Sequence, residues 1–276
     1  MKKFLLAGFG ALALFAAQPA TAADMPVKAP RPVVEVWTWD GFYVGLNGGY
    51  SWGRSRTTVD FFNNTTGAFL SGSSDTFNLN GAIFGGQIGF NRQNGNWVWG
   101  LEGDIQWSGQ KGDTAFTCSP TGACNNLTFG AGLNVPVTAS FEQKLAWFAT
   151  LRGRLGVLVA PTWLAYVTGG LAIGHIETEG VLSGFTAASA PTSAAFGYDK
   201  TKLGWTVGGG VEGRISGNWT AKLEYIYADY GSVSGTGLLT TNVIPLRAEF
   251  NSKVTDHVLR VGVNYRWGPT PVVARY

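Results

Sequence analysis

Charge is what this sequence has least of. Asp, Glu, Lys and Arg together make 13% of its 276 residues, where a soluble globular domain carries about 25%. Two cysteines exclude a disulfide-dense scaffold, and two histidines leave little material for a metal centre. No motif calls for a cofactor, and none is expected. The 20 basic and 17 acidic residues give a formal charge of +3, which falls to +1 once Lys2 and Lys3 are removed with the leader described below. Nucleic acid requires a concentrated basic face, so no nucleic-acid partner is expected. Beyond residue 22 no apolar run approaches the roughly 20 residues of a membrane helix. What remains plentiful is glycine, at 40 residues, and tryptophan, at 11. Few charges with many Gly and Trp point to β-structure in a non-aqueous setting.

The first residues are an export address. Met1-Lys2-Lys3 is a positive start, Phe4 to Ala17 an apolar core, and Ala20-Thr21-Ala22 the small residues that a signal peptidase reads. Residues 1–22 are therefore expected to be removed, with cleavage between Ala22 and Ala23. Residues 23–38, with Pro26, Pro30 and Pro32, read as an extended periplasmic arm. A barrel is expected over 39–267 and a Pro-containing tail over 268–276.

From Asp40 onward the period is two. Phe42, Val44, Leu46, Tyr50 and Trp52 alternate with Tyr43, Gly45, Asn47 and Ser51, and the same alternation recurs near 82–91, 97–107, 145–155, 163–174, 205–215, 219–227 and 258–267. Such alternation marks half-buried strands, here eight of them. Short turns at Gln93-Asn94-Gly95-Asn96, around Pro161 and at Ser216-Gly217-Asn218 alternate with connections near 53–79, 108–142, 174–202 and 229–256 that read as long loops. Short turns on one rim and long loops on the other are the mark of an outer-membrane barrel, with the short turns periplasmic.

A soluble barrel is the competing architecture, and the ordering of the apolar face argues against it. Trp97, Trp99, Trp163, Trp219 and Trp267 lie at the short-turn ends. Trp52, Trp107, Trp147, Trp205 and Tyr227 lie at the other ends, with aliphatic residues between. These read as two aromatic girdles around an apolar band. The opposite face carries Glu102, Asp104, Glu212 and Glu224 against Arg152, Arg154, Arg214, Lys222, Arg260 and Arg266. Charges of both signs at similar depth are expected to form a paired lumen network. Gly45, Gly49, Gly85, Gly89, Gly100, Gly208, Gly210 and Gly262 are expected to make room for the arginine stems. The fold class is thus all-β, an eight-stranded antiparallel transmembrane barrel in the cell outer membrane.

Ala23-Asp24-Met25-Pro26-Val27-Lys28-Ala29-Pro30, with Trp39-Asp40-Gly41-Phe42-Tyr43-Val44-Gly45, resembles the start of the small alphaproteobacterial outer-membrane immunogenic proteins. Leu151-Arg152-Gly153-Arg154-Leu155-Gly156, Leu223-Glu224-Tyr225-Ile226-Tyr227 and Leu259-Arg260-Val261-Gly262-Val263-Asn264-Tyr265 resemble that family too. The resemblance implies a porin-family, OmpA-like barrel and a surface antigen of Gram-negative cells. It also implies contact with outer-membrane lipid, lipopolysaccharide and the outer-membrane assembly machinery, whose signal is either Trp267 or Tyr276.

Three functions follow from the residues and the resemblance together. A structural, antigenic or adhesin-like surface protein leads, because eight strands enclose a lumen that side chains fill; its loops would meet host or environmental molecules. A small-solute porin is the alternative. A barrel-borne hydrolase is third, with His175 beside Glu177 and His257 beside Asp256 as the available bases. Cys118 and Cys124, in one expected loop of an exported chain, are expected to form a disulfide.

Overall fold

The structure is a computed structural model that describes residues 37–118, 137–185, 191–240 and 245–268. The cleavage site at Ala22 and Ala23, Tyr276 and the Cys118–Cys124 pair lie outside what it describes, apart from the Cys118 backbone at a strand end. Eight strands run in chain order: β1 (Gly41–Asn63), β2 (Phe69–Asn94), β3 (Trp97–Cys118), β4 (Val137–Ala160), β5 (Trp163–Phe185), β6 (Pro191–Ser216), β7 (Trp219–Thr240) and β8 (Pro245–Trp267). Each pairs antiparallel with the next, and β8 returns to β1 to close the barrel.

Three connections are two-residue turns, at Gly95-Asn96, Pro161-Thr162 and Gly217-Asn218. Gly95 and Gly217 open theirs at φ 60° and 50°, the left-handed region where a hairpin turn favours glycine. Each turn is tied to the next hairpin: Leu158 N–H donates to Asn96 O, Arg214 N–H to Thr162 O and Arg266 N–H to Asn218 O. Trp267 closes β8 opposite Phe42.

The opposite rim differs from expectation. Most of the segments read as long loops are ladder: β1 runs to Asn63 and β2 resumes at Phe69, and the other three pairs extend likewise. The strands are 22 to 26 residues long, although about 9–11 tilted residues cross a bilayer. About half or more of each strand therefore stands outside the membrane. The period of two continues there with its faces exchanged. In the lower wall Phe42, Leu46, Ile88, Leu101, Leu151, Val167, Leu171 and Val261 face outward and are exposed. In the upper wall Val59, Phe61, Phe77, Leu79, Phe141 and Phe250 are buried in the lumen, while Arg54, Arg56, Asn78, Asn251 and Lys253 face out. The exchange follows the solvent: lipid wets the lower wall and water the upper.

Leu223 and Val261 are cross-strand partners between the girdles, with 47% and 57% of their surface exposed. Leu223→Arg and Val261→Arg are each expected to cost about 2–4 kcal/mol, the price of a cation at the bilayer midplane. Unfolding titrations of the refolded variants in lipid vesicles check this. Wild-type stability in both would mean that this face does not meet lipid.

Candidate functional site

Between the girdles, inward-facing charges of four strands meet in one network. β3 presents Glu102 and Asp104, β4 Arg152, β7 Lys222 and Glu224, and β8 Arg260; all are buried. Arg152 lies 2.6 Å from Glu102, 2.8 Å from Asp104 and 2.8 Å from Glu224. Arg260 lies 3.0 Å from Asp104 and 2.7 Å from Glu224. Lys222 donates to both oxygens of Glu102 at 2.8 Å. Three carboxylates thus face three cations, so the desolvation of each is offset by several partners rather than one. Remaining acceptor positions are filled by hydroxyls: Tyr43, on β1, donates to Glu102 at 2.7 Å and Thr150 to Asp104 at 2.6 Å.

Nearer the periplasm lies a second, smaller layer. Arg154 pairs with Glu212, which also accepts from Thr220 at 2.6 Å and from Asn264 at 3.0 Å. Arg266 donates to the carbonyl of Trp39. Of the two guanidiniums only Arg154 pairs with the carboxylate, and aromatic faces supply further stabilisation to both: Arg154 lies 3.6 Å from the Tyr166 ring centroid, and Arg266 5.0 Å from that of Trp39. Arg214 was expected in this network and is not part of it. It sits at the β6–β7 turn, half-buried, donating to Gly217 O at 2.9 Å and lying over Trp37. Its strand position is one rung too close to the rim to reach a carboxylate in the lumen.

Trp37 and Trp39 close the periplasmic end. Trp39 is fully buried with Val98, Leu164 and Tyr166, with Trp37 and Leu158 packed beside it. Its backbone N–H donates to Gln93 Oε1 at 2.8 Å and its indole N–H to Pro161 O at 3.4 Å. Trp37 therefore packs in the lumen although its position had read as extended arm. Above the ionic layers Gln110 donates to Asp256 at 3.0 Å and to Ser51 at 3.0 Å. An apolar layer of Ile83, Leu145, Phe148, Ile176, Ile226, Tyr230, Val254 and Val258 follows. The Phe141, Phe196 and Phe250 rings pack above it, with centroids 4.8 and 4.9 Å apart.

The lumen glycines admit more than arginine stems. Gly49 does lie against Arg260, whose Cα would sit 2.7 Å from a Cβ added there. At Gly89 the obstruction is Tyr43, whose hydroxyl would lie 2.3 Å away; this glycine lets the phenol reach Glu102. Tyr43 was legible as a member of the inward face, since it alternates with outward Phe42 and Val44; Asp256, between Thr255 and His257, carried no such contrast. Trp39 gave no such signal, because it precedes the first strand.

The two histidines face outward. His257 accompanies Asp256 in sequence but points through the other face of β8, as consecutive strand residues must. It stacks on Trp52 and meets the Tyr225 hydroxyl at 2.6 Å. His175 stacks on Trp147 and meets Thr201 Oγ1 at 3.0 Å. Trp52, Trp107 and Trp205 on the upper side, and Trp97, Trp99, Trp163, Trp219 and Trp267 on the lower, are exposed at the wall.

The family described as outer membrane protein beta-barrel domain matches residues 7–267. The chain belongs to that family. The 31 kDa outer-membrane immunogenic protein of Brucella melitensis is 34% identical to it over 97% of this chain and 100% of that protein. A 22 kDa outer membrane protein of Rhizobium leguminosarum bv. viciae is 30% identical over 73% of this chain and 69% of that one. Among solved structures, the attachment invasion locus protein Ail of Yersinia pestis aligns at 12% identity and a TM-score of 0.33, over 82% of this chain and 99% of that one. This outer-membrane barrel therefore resides in the cell outer membrane, beside the immunogenic proteins of alphaproteobacteria.

Proposed function

We propose that this outer-membrane barrel is a sealed structural surface protein, antigenic or adhesin-like, rather than a diffusion pore or an enzyme. The observation that carries this reading is the ionic layer of Glu102, Asp104, Glu224, Arg152, Lys222 and Arg260, in which every charge is buried and held by more than one partner. Eight strands enclose a bore that side chains fill, whereas open channels take about 16 or more strands. Trp39 below and the apolar layer above add two further seals of different chemistry. A solute path would have to break all three at once. The placement of His257 and Asp256 on opposite faces supports the non-enzymatic reading, because a base and the carboxylate that would orient it belong within hydrogen-bond reach.

Planar-bilayer recording of the purified, refolded protein tests this. No steady conductance is expected, at any voltage at which the bilayer itself is intact. Persistent nanosiemens steps from the wild-type chain would refute the sealed lumen in favour of the porin reading.

A further inference from the structure

Directly above the outer girdle the outward wall of β1 and β8 turns basic. Trp52 and His257 are cross-strand partners with rings stacked 6.4 Å apart at 8°. The next outward residue on β1 is Arg54, between Thr255 and Asn78; the one after is Arg56, between Lys253 and Thr76. All three cations are exposed. Like charges directly opposite on one face of a sheet are destabilising, and Arg56 with Lys253 is such a pair. Lys253 has Asp229 at 3.3 Å. Among the described residues neither Arg54 nor Arg56 has a carboxylate within ion-pair distance. The wall's own acids stand farther out, where Asp60 faces Glu249 beyond the neutral Thr58–Asn251 pair.

Lys111 and Lys144 also face one another above Trp107 and Trp147. There, however, Lys144 is paired with Glu142 at 3.1 Å, and Asp113, Glu142 and Glu179 follow in one row across β3, β4 and β5. An anion on that wall would meet carboxylates. At the corresponding height β1 and β8 themselves carry only cations, the neighbouring acid being Asp229 of β7, which pairs with Lys253.

Below Trp52 the same seam opens into a groove of about 560 Å³, lined by Val44, Leu46, Gly48, Trp219, Val261 and Val263. Gly48 at its upper end is six residues from Arg54, about 20 Å along a strand and roughly 14 Å in height at a 45° tilt. That reaches from the headgroup layer into one leaflet's hydrocarbon, which is about 15 Å deep.

We propose that this strip binds a phosphate-bearing lipid of the surface-exposed leaflet. Its phosphate lies against the Arg54 and Arg56 guanidiniums, with Lys253 at the edge. Planar guanidinium forks match phosphate oxygens two at a time, and basic side chains beside a membrane surface attract anionic headgroups. Trp52 and His257 occupy the headgroup boundary, where amphipathic rings settle. An acyl chain descends the β1–β8 seam toward the groove. The proposal rests on the outer-membrane location and is independent of whether the lumen is sealed, which conductance reports separately.

Native mass spectrometry of the detergent-solubilised full chain tests it, with lipid A carrying two phosphates as the probe. One lipid is expected to be retained per barrel. The same lipid with its phosphates removed is expected to be lost, and millimolar inorganic phosphate is expected not to displace the intact lipid. Arg54→Gln with Arg56→Gln should weaken retention roughly 30-fold, each single change about fivefold, and Arg54→Lys with Arg56→Lys should restore only part of it, since an ammonium keeps the charge and loses the paired contact. Folding of each variant is verified by its heat-modifiable migration on a gel. Undiminished retention by the folded double Gln variant, or equal retention of the dephosphorylated lipid, overturns the site. Displacement by inorganic phosphate overturns its assignment to a lipid.

Discussion

Glu102→Ala is expected to lower the unfolding free energy of the refolded barrel by about 3–5 kcal/mol, the cost of leaving a well-buried charge without its partner. Glu102 holds Lys222 through both oxygens and Arg152 at 2.6 Å, and it also accepts from Tyr43. Its removal leaves three cations beside two carboxylates at a depth where water is scarce. Arg152→Ala should cost a similar amount, since Arg152 touches Glu102, Asp104 and Glu224. The double variant restores the balance of signs, so its loss should fall well short of the two single losses combined. Urea titration in lipid vesicles, followed by tryptophan fluorescence, measures all three. Strict additivity would show that the charges act separately rather than as one network.

Trp39→Ala is expected to cost about 3–5 kcal/mol, the usual range for emptying a buried aromatic site. The indole is fully buried against Val98, Leu164 and Tyr166, and the Arg266 guanidinium lies over it. The carbonyl that Arg266 uses survives the substitution, so the loss isolates packing and the indole hydrogen bond from the backbone contact. Trp39→Phe should recover much of the stability. The same titration decides: an unchanged midpoint for Trp39→Ala would mean that residues 37–40 do not close the lumen in the membrane.

The lower half of each strand was legible because its two faces meet solvents as different as lipid and a packed polar interior. Phe42 against Tyr43, or Leu223 against Glu224, leaves one orientation open. Depth was legible for the same reason: tryptophan prefers the boundary, so Trp99 and Trp107 mark the two ends of one strand's crossing. The upper half was not. Thr57, Val59 and Phe61 alternate with Thr58, Asp60 and Phe62, but threonines are spread over both faces and the contrast is weak. Ser, Thr, Gly and Asn suggest loops when read by composition, and only the paired register of β1 with β2 and β8 shows them as strand. In the lumen, the participants were legible and their connectivity was not. Sequence placed Arg152 and Arg214 alike on the inward face; nearness to the β6–β7 turn separates the side chain that caps it from the one that reaches three carboxylates.

The tall outer wall changes what an approaching molecule encounters. Above Trp52 the presented surface is rigid, hydrogen-bonded sheet, on which Arg56, Thr76 and Lys253 stand side by side although each comes from a different strand. A linear peptide copied from β1 would carry Arg54 and Arg56 but neither of their neighbours, and it would have no ladder to hold its side chains on one side. Whatever recognises this part of the barrel must read a mosaic that exists only while the sheet is closed.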